Sequence, residues 1–392
     1  MFSFFLKMRR RVPKFSSIVF RIRQFIAKSH SRFEVLKQKW SIQRFLFSIK
    51  NAEVLCGANF APLNGIGNHI HSLKEYSSHK IHLFPSDNIM RRMSPHNFTK
   101  IFEVVSFSPA KKAILHSHVY PWYIKWCEEQ HNKGYKWIHT YHAPYQKEYG
   151  ANDILEDWQE EFNKVWIETA SNADIRISVS KWQQEYYKKN HDIDTIYIPN
   201  GVDLKKCDES DPDRFISSYG SGGYILNVSR HDPVKNAGEF LQLAHSMPEY
   251  EFLIIGPGFT KDIFRDIYDL EVPENFHIYG PANHRTTLNA ISACSVLVST
   301  SKKEGLPTLV LEGMALSKPV VVSNEPGSME VIDQGAYGYF YELGNITDLK
   351  DKVQKALLDK DKVKAARHRV LEEYDWRVVS AKLDSVYEEL RK

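Results

Sequence analysis

The sequence predicts an α/β protein with two doubly wound parallel domains facing across a cleft. Three observations carry that prediction. From about residue 52 short β-rich runs alternate with helical stretches, the pattern of parallel strands joined by crossover helices. A polar, acidic stretch, KKCDESDPDR (205–214), and a glycine-rich turn, GSGG (220–223), divide the pattern into two halves. Glycine-bearing or charged turns follow several of the strand runs directly, and the carboxyl ends of strands are where parallel sheets bind their ligands. At 392 residues, 42% hydrophobic and 26% charged, the chain is long enough for two or three domains and has the composition of an ordinary globular protein.

The first fifty residues stand apart. They hold thirteen Lys/Arg against one acid, Glu34, for a net charge of +12, whereas the whole chain carries only +4. Residues 51–392 therefore carry −8, which argues against a protein whose folded surface tracks nucleic acid. At helical spacing Phe15, Ile18, Val19, Ile22, Phe25 and Ile26 share one face, and Phe33, Leu36 and Trp40 extend it. A basic helix with such a face suits the headgroup layer of an anionic membrane, each basic residue adding about 1 kcal/mol of attraction. A solvated arm lying on the acidic body of the same chain fits the same pattern. No stretch has the ~20 apolar residues of a membrane span, and the opening MFSFFL precedes its positive cluster rather than following it, unlike a secretory signal. The expected location is cytoplasmic, peripheral on the cytoplasmic face of a membrane. Cys56, Cys127, Cys207 and Cys294 are far apart, so no disulfide framework or zinc knuckle is expected.

In the first half the expected strands are EVLCGA (53–58), KIHLF (80–84), KKAILHSH (111–118), KWIHTYH (136–142), DIRISVS (174–180) and TIYIPN (195–200). In the second they are YILNVS (224–229), YEFLIIG (250–256), FHIYG (276–280), SVLVST (295–300) and PVVVSN (319–324), with a linker near 204–222. No repeat of solenoid period appears.

Motifs sit at the strand ends. APLNGIGNHIHSL places Gly65 and Gly67 where a helix begins, and its N–H groups suit a phosphate. The third glycine of a dinucleotide fingerprint is missing, so nicotinamide binding is disfavoured. After the first strand of the second half, Arg230 and Lys235 offer a fork and a point charge that suit a diphosphate, and LIIGPGF puts Gly256 and Gly258 after the next strand. In VLVSTSKKEGLPTLVLEGMALSKPVVVSN, Glu304 lies in a turn, Pro307 fits the first helical position, and Glu312 lies in the helix that follows. Its side chain leans back toward the same strand end. Two carboxylates there suit vicinal hydroxyls. The pairs His116/His118 and His139/His142 at adjacent strand ends raise a metal site, but no carboxylate or cysteine spacing completes one, and local hydrogen bonding is the expectation.

Residues 224–344 resemble the donor-binding domain of family 4 glycosyltransferases, retaining enzymes of the GT-B fold, which has two Rossmann-like domains. YIPNGVD (197–203), NGIG (64–67) and YDWRVVSAKLDSVYEEL (374–390) are similar to further family segments, so the resemblance covers about 52–392. It leaves out the basic arm (1–50) and implies an acceptor-side domain (51–205) completed by a C-terminal helix (375–392), and a nucleotide-sugar-binding domain (206–374). It also implies that Arg230 and Lys235 bind the donor diphosphate, that Glu304 meets the transferred sugar and that Glu312 holds the nucleotide ribose. Gly305, Leu306 and Pro307 would place backbone donors by the sugar, Gly327 and Ser328 of EPGSMEVI would approach the phosphates, and His142 would bind a sugar hydroxyl or orient the reacting face. Two departures stand out: Asn64 replaces a frequent glycine, and Ser317 replaces a glycine before the PV strand, a change expected to be silent.

The function this implies is transfer of a hexose from a UDP- or GDP-linked donor to an acceptor hydroxyl on a glycan or lipid-linked intermediate, with no metal, no further cofactor and no nucleic-acid partner. A sugar-nucleotide epimerase or phosphorylase on the same fold, or a non-enzymatic glycan- or membrane-binding protein, are the alternatives. Acceptor choice falls to loops around 64–72, 86–98 and 118–150. There Tyr120, Trp122, Tyr123 and Trp126 could stack on a sugar or grip a lipid, with core packing expected for most of them.

Overall fold

The computed structural model describes residues 39–57, 65–84, 108–150, 154–359 and 361–392. The apolar stripe expected between Phe15 and Leu36, Asn64 and the 86–98 loop lie outside them. Among the described residues, twelve strands form two six-stranded sheets, every pairing in them parallel.

The first sheet contains β1 (Val54–Gly57), β2 (Ile81–Phe84), β3 (Ile114–Ser117), β4 (Lys136–Tyr141), β5 (Ile175–Ser178) and β6 (Ile196–Tyr197), in the order β2-β1-β3-β4-β5-β6. The second contains β7 (Ile225–Val228), β8 (Phe252–Ile255), β9 (Phe276–Gly280), β10 (Val296–Ser299), β11 (Val320–Ser323) and β12 (Tyr339–Tyr341), in the order β12-β11-β10-β7-β8-β9. The strand order reverses between β1 and β3 and again between β7 and β10. Loops leaving such neighbours diverge to opposite faces and open a crevice at the strand ends. This is a two-domain α/β GT-B fold. Eleven strands fall on the expected runs, and β12 is the addition: three residues are too few for an apolar period to stand out.

The core strands are buried on both faces, as in Val54–Gly57 and Val296–Ser299, because helices cover both sides. Residues 204–222 are not a linker. Leu204–Asp208 and Pro212–Tyr219 are helices, capped by Asp203 and Asp211, and Leu204, Cys207 and Phe215 enter the core of the second half. Among the acids of 205–214, Asp211 caps a helix and Asp208 and Glu209 pair with Arg367 and Arg285, so the stretch is not a solvated connector. The helix Trp376–Arg391 lies against the first sheet, with Val379, Leu383 and Tyr387 among residues of β1, β3 and β4. Tyr123 and Trp126 are core residues, Tyr120 and Trp122 pack on that core, and a Cβ at Gly57 would strike the Tyr123 ring. Ser317 has φ 54°, a left-handed conformation that strains any residue with a Cβ. Serine in place of glycine is therefore not silent for the backbone.

Candidate active site between the two sheets

The loops after β7 and β10 are tied together by backbone. Lys302 N–H donates to Val234 O at 2.7 Å, and Thr300 Oγ1 donates to Lys235 O at 3.0 Å. Asp232 caps the turn Pro233–Lys235. That wiring brings Lys235 Nζ to 2.5 Å from Glu304 Oε1, both side chains mostly buried. Arg230, half exposed, is forked onto Asp232 at 2.9 and 3.0 Å. The two cations thus stand at one strand end, each on a carboxylate that a more acidic ligand can replace. Gly256 lets this loop pass: at φ 151° its place is open only to glycine, since a Cβ would overlap Ser229 O.

The two glutamates meet different partners. Pro307 is the N-cap rather than the first residue of Thr308–Ala315, and Glu312 on that helix accepts a 2.7 Å hydrogen bond from His284 Nε2. Burial opposes charge on His284, but the Glu312 carboxylate outweighs it and leaves its pKa raised. Glu312 and His284 line a pocket between the halves with Gly65, His69, Asp203, Lys206, Thr308 and Trp376. Arg230, Lys235 and Glu304 are not among its lining residues. The cleft therefore has a pocket around Glu312 and a charged cluster around Glu304.

Gly327 and Ser328 do not offer their amides to a ligand. Both N–H groups, with that of Glu304, donate to the carboxylate of Glu325, at 2.9 Å for Gly327 and Glu304. A buried carboxylate beside a chain turn takes the donors nearest it. Burial, then the charge of Glu304, push the Glu325 carboxyl up to about 7 in spite of those bonds. Gly327 also packs so closely on the Glu304 and Gly305 carbonyls that a Cβ would not fit.

The turn 304–307 is fastened to the first half as well. Trp182 Nε1 donates to Gly305 O at 2.7 Å, Asn200 Nδ2 donates to Leu306 O at 2.9 Å, and Gly305 packs on Ala143. Glu330 accepts the amides of Lys181 and Trp182 at 2.8 and 3.0 Å, filling the N-terminus of Lys181–His191, whose N-cap Ser180 makes no side-chain bond. Gln183 holds the His142 carbonyl at 2.5 Å. The His142 ring, nearly buried, turns toward His118 and His69. Gly67 is buried in the helix Gly65–Tyr76 and Gly258 has φ 90°. Sequence reading missed Glu325, Glu330, Trp182, Gln183 and His69. Glu325 and Glu330 lay inside the quoted EPGSMEVI, His69 inside APLNGIGNHIHSL and Asn200 inside YIPNGVD, but none of them was singled out.

The family model for glycosyl transferases group 1 matches residues 211–372, and that for glycosyltransferase family 4 matches residues 74–206. The chain belongs to the group 1 glycosyltransferases. It is 27% identical over 212 residues to N-acetyl-alpha-D-glucosaminyl L-malate synthase of Bacillus anthracis, covering 52% of this chain and 54% of that protein. It is 27% identical over 176 residues to a UDP-Gal:alpha-D-GlcNAc-diphosphoundecaprenol alpha-1,3-galactosyltransferase of Escherichia coli, covering 42% and 45%. The chain spans about half the length of these curated relatives. Its fold matches that of the Anabaena protein HepE in complex with UDP-glucose, with a TM-score of 0.65 at 14% identity, covering 86% of this chain and 99% of that one. In this group 1 chain, no helix among the described residues is long and apolar enough to cross a membrane.

Proposed function

We propose that this chain is a retaining, metal-independent glycosyltransferase that moves a hexose from a UDP- or GDP-linked donor to an acceptor hydroxyl. The observation that carries the reading is the Lys235–Glu304 pair at the point where β7 and β10 diverge. A nucleotide-sugar satisfies both partners at once: its diphosphate takes Lys235 and Arg230, while sugar hydroxyls donate to the freed Glu304. Glu312, leaving His284, accepts from the ribose, and His142 meets the sugar from the first half. The C1–O bond to the diphosphate breaks, the acceptor oxygen bonds to C1 on the face being vacated, and its proton passes to the departing phosphate oxygen. The developing charge falls on Arg230 and Lys235, which stabilise it most where water is excluded.

The body is divided at about residue 205, with the last helix returned to the acceptor side. The acceptor is a lipid-linked or surface-polysaccharide intermediate, supported by the undecaprenol-linked substrate named for the E. coli relative and by the +12 charge of residues 1–50. That arm places the protein on the cytoplasmic face of an anionic membrane. Thermal shift against UDP- and GDP-sugars tests the donor, since a ligand of the folded state raises its melting temperature. Stabilisation by one of them, lost in Lys235→Ala, supports the reading. Release of nucleoside diphosphate without an acceptor requirement overturns it in favour of a hydrolase, and conversion of the donor to an isomeric nucleotide-sugar overturns it in favour of an epimerase.

A further inference from the structure

The strand ends of the first sheet carry a histidine cluster of which the proposed transfer uses one member. Cys56 lies on β1, His116 on β3 and His118 just beyond it. His142 follows β4, and His69 comes from the helix Gly65–Tyr76. None of the five is more than 5% exposed. His69, His118 and His142 each offer one ring nitrogen, and the three lie within 4.8 Å of one another. His118 Nδ1 and His142 Nε2 are 3.2 Å apart. We propose that His69, His118 and His142 bind one divalent transition-metal ion of the zinc class, and that the ion withholds His142 from the donor sugar.

The spacing fits. Two imidazole nitrogens bound tetrahedrally to zinc at about 2.0–2.1 Å stand roughly 3.3 Å from each other, close to the separation of His118 and His142. The hydrogen bonds around His69 and His118 also leave them the required lone pairs, while His142 Nε2, the donor to His118 Nδ1 without the ion, passes its proton to its own Nδ1 when the ion binds. Asn200 Nδ2 donates to Leu306 O, so its Oδ1 faces His69 Nδ1 at 3.0 Å and can only accept. His69 therefore carries its proton on Nδ1 and keeps Nε2 for a ligand, the support that a metal-bound histidine normally has from a carbonyl. His118 Nε2 lies 3.4 Å from Cys56 Sγ; a proton shared on that side leaves Nδ1 free. Burial, the first cause for each ring, holds all three histidines below their ordinary pKa, so they are neutral as ligands must be. The neighbouring triad Cys56–His116–His118 is not the site. His116 commits both nitrogens, to Tyr387 Oη at 2.6 Å and Thr140 Oγ1 at 2.8 Å. His69 lines the interdomain pocket with Asp203 and Glu312, which supplies a route of entry, a water for the fourth position and negative charge opposite the ion.

The ion takes no part in transfer. By holding His142 it opposes donor binding, a consequence that rests on the sugar-binding role proposed above, whereas metal binding itself does not. The full chain, dialysed against chelator, is titrated with Co(II) and with Zn(II) and followed by visible spectroscopy and calorimetry. The expected result is one site with the intense visible bands of four-coordinate Co(II), lost in His118→Ala and in His69→Gln and kept in Cys56→Ser. Circular dichroism checks that each variant folds, and either histidine variant suffices if the other does not. No stoichiometric site, a site kept in a folded histidine variant, or a thiolate charge-transfer band that disappears in Cys56→Ser overturns the proposal. In the second arm the donor Kd is measured with and without Zn(II). A rise of about tenfold or more, reversed by chelator, is expected for competing ligands. An unchanged Kd with the metal bound overturns the competition, and a metal-free protein that binds no donor overturns the transferase reading instead.

Discussion

Lys235 and Glu304 lie 69 residues apart in sequence, and Nζ meets Oε1 at 2.5 Å where the second sheet reverses its strand order. An ion pair at this position holds the ammonium in place until a diphosphate arrives. The two residues are therefore expected to fail differently. Lys235→Ala removes charge stabilisation that grows in the transition state and is expected to lower kcat by about 10²–10³-fold. Glu304→Ala removes a sugar contact and is expected to raise the donor KM. Steady-state release of nucleoside diphosphate separates the two, and full turnover by Lys235→Ala would falsify the electrostatic role.

Glu325 gives the protein a pH signature. Its carboxyl is raised to about 7 in the folded chain, by burial first and then by Glu304, with Tyr149 also within its field and the Ser328 side chain and the amides of Glu304 and Ser328 pulling the other way. The folded state therefore holds a proton between pH ~4.5 and ~7 that the unfolded chain has released. This carboxyl's contribution to stability must fall as pH rises through that window, by about 3 kcal/mol at most. Chemical unfolding at stepped pH is expected to show this slope in the native chain and to lose it in Glu325→Gln. Equal slopes would remove Glu325 as the cause.

The contrast between these sites shows what was legible in the sequence. Arg230, Lys235 and Glu304 could be read because each follows a buried apolar run, and strand ends converge in a parallel sheet. Glu325 was hidden because its role depends on three backbone amides, one of them 21 residues away. His69 and Cys56 were hidden because helix and strand bring them to His118 only in the folded chain. The acids of 205–214 looked like a linker because a capping aspartate and a solvated one are the same letter, and burial of Phe215 decides between them.

Glu330 joins the halves through backbone, accepting the amides of Lys181 and Trp182. Glu330→Ala leaves those two donors without their acceptor and is expected to cost about 1 kcal/mol of stability. Hydrogen exchange should show lost protection at 181 and 182, with the strands of either sheet unchanged. Unaltered exchange at these amides would mean that the contact is not kept in solution.

Ser317 holds φ 54° at the turn that precedes β11. Glycine enters this region freely, whereas a Cβ costs about 1–2 kcal/mol, partly offset by the greater entropy that glycine loses on folding. Ser317→Gly is therefore expected to stabilise the protein by about 0.5–1 kcal/mol. A melting temperature that falls would contradict the left-handed assignment.

The helix Lys39–Ser48 puts Trp40 and Phe47 on its outer side, 71% and 69% exposed, while Leu46 and the following Ile49 anchor it in the core of the first half. Arg44 lies 5.7 Å from the Trp40 ring and Lys50 lies 4.2 Å from that of Phe47. Aromatic rings paired with cations sit well at a headgroup boundary, where the ring enters and the charge stays with phosphate. The +12 of residues 1–50 would bind an anionic surface by charge alone, so the aromatic contribution must be read where charge is screened. Trp40→Ser with Phe47→Ser is expected to float with anionic vesicles at low salt and to lose that flotation at high salt, where the native chain keeps part of it. Removal of residues 1–50 should abolish binding under both conditions. Equal flotation of the truncated chain would place the membrane contact elsewhere, and equal flotation of the double variant at high salt would reduce the arm to a purely electrostatic tether.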